Sequence, residues 1–116
     1  MNLTIDKDKN WYILYSFKTS RQKSLLYDYL MEEKPICSDL SIKTHPDDNA
    51  QVLLFSWIKI TESDCKEMLR RTSEITHTEV NGKWFIVETL SSTYTFLKVS
   101  PDEALKLLKE RMELNE

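Results

Sequence analysis

Four side chains in this sequence have the chemistry of nucleophiles or soft metal ligands: Cys37, His45, Cys65 and His77. A zinc site or a Cys–His nucleophile pair needs such groups to converge. Chains that build one usually show a C-x-x-C pair or histidines four apart on a helix. Neither spacing occurs here, and each of the four residues falls in a different segment of the chain. No Ser/His/Asp order and no metal-binding carboxylate motif stands out. The only glycine, Gly82, leaves no glycine-rich loop to cradle phosphates, which excludes P-loop and dinucleotide-binding readings. The expectation is a non-enzyme with no cofactor and no metal.

The charged residues suggest contact surfaces. Glu32-Glu33 and Asp47-Asp48 are adjacent carboxylates, and Lys66, Arg70 and Arg71 form a basic stripe. Sixteen basic and 19 acidic residues give a net charge of −3. That balance disfavours a dedicated duplex-DNA binder, which carries a basic excess. It suits a protein that meets a basic partner, with Asp47 and Asp48 as the acidic contact. No apolar run approaches the roughly 20 residues that cross a bilayer, so no membrane partner is expected. The start of the chain, with Asp6, Lys7, Asp8 and Lys9, does not read as a secretory signal, and a cytosolic location with both cysteines reduced follows.

These residues need elements to hold them. Trp11 to Phe17 is dense in aromatic and aliphatic side chains and predicts a strand. Thr19 or Ser20 then caps a helix from about Arg21 to Glu33, with Leu25, Leu26, Tyr29 and Leu30 on its apolar face and Pro35 beyond its end. Ile36 to Thr44 reads as a second strand, His45 to Asn49 as a turn, and Gln51 to Ile60 as a third strand. Thr61 opens a predicted second helix, Glu62 to about Ile75, with Cys65, Met68, Leu69 and Thr72 along one face. Asn81-Gly82 between β-prone runs is a strong hairpin signal, read as a type I′ turn. Thr93 to Val99 is a further short strand. Ser100-Pro101-Asp102-Glu103 is a helix start with Ser at the cap, Pro at the first position and Glu at the third, and that helix runs to about Leu114. The order predicts a single α+β domain over residues 1–116. Its architecture would be a ferredoxin-like βαββαβ antiparallel sheet with an added C-terminal strand and helix.

Both central strands are apolar on both faces. Alternation puts Trp11, Ile13, Tyr15 and Phe17 together on the first, and Leu53, Phe55 and Trp57 together on the third. The aliphatic sides are assigned to the two crossover helices. The aromatic side is assigned to the C-terminal helix, through Leu105, Leu108 and Met112. A protein interface is the next reading of that aromatic face. Base stacking by Tyr15, Phe55 and Trp57, in a single-stranded RNA- or DNA-binding domain, is the alternative. The glycine-bearing octapeptide of RNA-recognition modules is absent.

The run Glu79-Val80-Asn81-Gly82-Lys83-Trp84-Phe85 resembles the final hairpin of the regulator of ribonuclease activity B family. Those are small ferredoxin-like proteins that bind ribonucleases and carry an acidic-Gly-Trp turn after a helix. Here Asn precedes the glycine, Lys83 stands between Gly82 and Trp84, and the family's acidic tail has no counterpart. In general character the chain is also similar to small acidic immunity proteins that neutralise toxin nucleases. The resemblance implies a protein-binding inhibitor or regulator of a nuclease or toxin. Asp47, Asp48, Glu79 and Trp84 are the residues expected to meet that partner.

Overall fold

In the computed structural model, which describes residues 4–20, 33–60 and 64–114, six strands close into a barrel in chain order. They are β1 (Trp11–Thr19), β2 (Ile36–Thr44), β3 (Gln51–Ile60), β4 (Cys65–Asn81), β5 (Trp84–Thr89) and β6 (Ser92–Val99), followed by helix α1 (Pro101–Leu114). Every pairing is antiparallel, and β6 returns to β1. The ferredoxin-like α+β expectation is therefore wrong. The predicted helix over Arg21–Glu33 lies outside the described residues save for its last position. The predicted second helix, Glu62 to about Ile75, is from Cys65 onward part of strand β4, and its first two positions lie outside the described residues.

The stagger of the barrel explains that exchange. From Tyr12 the pairing runs through Cys37 and Trp57 to Met68 on β4. From the neighbouring Ile13 it runs the other way, through Leu97 and Trp84, to Asn81. One strand must therefore serve β3 with its first half and β5 with its second, since strand number and stagger are linked in any closed barrel. Lys66, Glu67, Met68, Leu69 and Arg70 are good helix formers, but propensities differ by only about 0.7 kcal/mol per residue among ordinary side chains. Satisfying the β3 backbone outweighs that preference.

A bulge corrects the face assignment. The β1–β6 register slips between Leu14 and Ser16, leaving Tyr15 as the extra residue. Tyr12 and Leu14 face inward before it and Phe17 after it, while Trp11 and Ile13 belong to a second cluster. Strict alternation thus placed Phe17 on the face of Trp11, and the structure separates them. On β3 the alternation holds: Leu53, Phe55 and Trp57 all lie in the interior cluster.

That interior is packed by aromatic rings. Phe17 and Tyr94 meet at 4.9 Å between centroids, and Phe55 and Phe96 at 5.3 Å in a T-shaped contact. Fully burying each such ring contributes about 1.5–3 kcal/mol. Of the aromatic side, Phe17, Phe55 and Trp57 are covered by the barrel's own closure, whereas Trp11 packs with α1. The helix sits outside, where Ala104 and Leu108 join Trp11, Ile36 and Val99, with Ile58 and Ile60 against them. Its start is as the sequence predicts: the Glu103 N–H donates to Ser100 Oγ at 3.1 Å, and that hydroxyl donates to Glu103 Oε1 at 3.2 Å.

The hairpin forms one residue later than expected. Asn81 pairs with Trp84, so the loop residues are Gly82 and Lys83. Gly82 has φ of +62°, whereas Asn81 and Lys83 are not in the positive-φ region. Glycine at the first loop position alone is the type II′ pattern, not type I′.

Candidate functional site

The outer surface of the barrel carries charge: Lys18, Arg71, Glu79 and Glu88 are exposed and the rings are inside. Among the described residues no helix is long and apolar enough to cross a membrane.

Large aromatics are nonetheless found on the outside. The bulge turns Tyr15 outward, where it is 49% exposed. Its ring meets Trp84 edge-on at 5.1 Å between centroids, and Lys34 Nζ lies 4.3 Å from the Tyr15 centroid. Trp84 pairs with Asn81, and Glu79 with Ile86 two residues on, so Trp84 and Glu79 share the outer face of the β4–β5 ladder. The structure thus joins Glu79, Trp84 and Tyr15 on one side.

Asp47 and Asp48 lie elsewhere, exposed in the β2–β3 turn. Asp48 Oδ1 accepts the Ala50 N–H at 3.0 Å and lies 3.4 Å from His45 Nδ1, which accepts the Asp47 N–H at 3.3 Å. These contacts build the turn, with Asn49 at φ +57°. Phe55 and Trp57 are 1% and 4% exposed inside the barrel. As seated they offer no face to a base, and only Tyr15 of the three stacking candidates reaches solvent.

The thiols and imidazoles stay apart. Both cysteines are free; Cys37 is buried and donates to the Pro35 carbonyl at 3.5 Å. Burial pushes its thiol far above the ordinary range, and burial with the Asp64 charge raises that of Cys65. Among the described residues no three His, Cys, Asp or Glu side chains are grouped to hold a metal.

Sequence reasoning missed two features. The first is Arg70, read from the sequence as part of a basic stripe in the predicted second helix. Its register opposite Phe55 turns it toward the barrel interior, where Nε and Nη2 donate to Tyr94 Oη at 3.2 and 3.1 Å. Its guanidinium also lies 5.5 Å from the Phe17 centroid. Nearby, on the same strands, hydroxyls satisfy one another: Ser73 Oγ donates to Thr89 Oγ1 at 2.8 Å, and Ser92 Oγ to Thr19 Oγ1 at 3.0 Å.

The second is a groove of about 310 Å³ beside the β4–β5 hairpin, lined by Tyr12, Gly82, Lys83, Trp84, Phe85 and Lys98. It needs strands far apart in sequence, so no local pattern announces it.

Fold and surface together define a small meander barrel filled with aromatic side chains. Set against family models, curated proteins and solved structures, the chain matches none of them.

Proposed function

We propose that this barrel is a protein-binding domain that docks on a partner protein and regulates or inhibits it. The observation that carries this reading is the Tyr15–Trp84 pair. Two large aromatic rings are held against each other on the outside of a barrel whose interior is already full. Buried at an interface, such rings are the residues that most often dominate binding energy. Glu79 shares their face, and the acidic β2–β3 turn adds Asp47 and Asp48 in a second hairpin. A partner with a basic surface, such as a nuclease or a toxin, fits that acidic turn.

The test is capture of the tagged chain's partner from its native cells after nuclease treatment, followed by association kinetics. One stoichiometric protein partner is expected to remain. Reversing both charges, Asp47→Lys with Asp48→Lys, should slow association by about tenfold and flatten its dependence on salt. An unchanged association rate removes the acidic turn from the interface, and loss of all binding after nuclease removes the protein-docking reading.

A further inference from the structure

We propose that the groove beside the β4–β5 hairpin is a nucleotide site, with the phosphate on Lys83 and Lys98 and the base on the ring surfaces of Tyr12 and Phe85. The inference goes beyond the docking reading and does not rest on it.

Three observations carry it. First, the fold brings both lysines to the lining of one groove. The Lys98 N–H donates to the Lys83 carbonyl at 2.8 Å, which fixes the end of β6 against the hairpin loop. Both side chains are exposed, and among the described residues neither has a carboxylate within ion-pair distance. Two like charges set together without a counter-ion make a ready site for an anion. Second, the groove continues past Gly82, Lys83 and Lys98 to Lys9, Trp11 and Ser100, in a further space of about 520 Å³. Charge falls off in that direction, since Lys9 is paired with Asp39 at 3.0 Å and Glu103 lines the far part. The uncompensated charge is therefore confined to Lys83 and Lys98, which suits one or two phosphates better than a long polyanion.

Third, the floor is aromatic and rigid. Phe85 stacks on Phe96 at 6.3 Å, and Tyr12 meets Phe96 edge-on at 6.3 Å. Both rings are half-buried, so each keeps part of its surface open. Base–aromatic stacking is tolerant of base identity, because every base has a π-face. The volume falls at the lower end of the roughly 300–1,000 Å³ typical of small-ligand sites.

The same phosphate-and-base chemistry is offered by a free nucleotide and by a short single strand, and the test separates them. Isotope-labelled protein is titrated with ADP and, separately, with a thymidylate octamer, following the backbone amide signals of Gly82, Lys83 and Lys98. Saturable shifts at these amides are expected, weakening as salt rises. A response to ADP assigns the free nucleotide, and a response to the octamer alone assigns the strand. Lys83→Glu with Lys98→Glu should weaken binding by at least about tenfold, as expected for losing charge-assisted hydrogen bonds. Lys83→Gln with Lys98→Gln should give an intermediate loss. Both residues are exposed, so a dispersed spectrum will show that the variants keep the fold. Absence of shifts with both ligands, or shifts that survive the charge reversal, overturns the proposal. None of these variants touches Tyr15, Glu79, Asp47 or Asp48, so failure here leaves partner docking intact.

Discussion

Two side chains inside the barrel have measurable consequences of opposite kinds. Arg70 is a cation directed into an aromatic interior with a phenol as its hydrogen-bond acceptor. Tyr94→Phe removes that acceptor and should lower stability by about 1–2 kcal/mol, the cost of leaving a partly buried donor unsatisfied. Arg70→Met on top of it should cost less than the sum of the two single changes, because the pair acts as a unit. Denaturant midpoints of the four proteins give that coupling directly, and strict additivity would refute the contact. Cys37 acts through its proton. Burial raises its thiol pKa in the folded state, so the fold holds the neutral form. Its contribution to stability is complete below the unfolded thiol value and is lost as pH rises above it. Stability should therefore fall above about pH 8.5, by up to about 1.4 kcal/mol per pH unit. Cys37→Ala should remove that part of the slope, and identical slopes for the two proteins would contradict the assignment.

At the scale of elements, what was legible in the sequence follows from which signals are local. The spans of β2 and β3, the turn between them and the Ser100 cap all rest on neighbouring residues, and each is found where it is predicted. The β4 strand was not legible, because Cys65 to Arg71 has helical composition and only the stagger of a closed barrel requires it to be extended. The Tyr15 bulge was equally silent, since an extra residue reverses the alternation without changing the composition of the strand. The hairpin is an intermediate case: Asn81-Gly82 announced it, but pairing moved the loop to Gly82-Lys83. A Cβ at position 82 would meet nothing within 4 Å, so the backbone alone should resist substitution there. Gly82→Ala is expected to cost about 1 kcal/mol, the penalty of a left-handed conformation, and Gly82→Asn less. Equal stability of all three in thermal unfolding would mean that the turn adopts another conformation.

For the whole molecule, closure of the sheet decides where function can lie. It takes Phe55 and Trp57, two of the three stacking candidates by sequence, out of reach, and it leaves Tyr15 and Trp84 outside. Of the expected contact residues, Glu79 and Trp84 do share one face, as their places across the hairpin allow. Tyr15 joins them only through the β1 bulge. The lysine groove needs strands that meet only once the barrel is closed. The central claim is that the outer aromatic pair docks a partner. It is tested most directly by measuring the affinity of the captured partner for the native chain and for Tyr15→Ala with Trp84→Ala, with thermal unfolding as the control for folding. Losing these anchors should cost at least about 2 kcal/mol of binding, roughly a thirtyfold weaker Kd, while the interior and the fold are kept. An affinity unchanged by the double substitution in a folded protein would contradict the account.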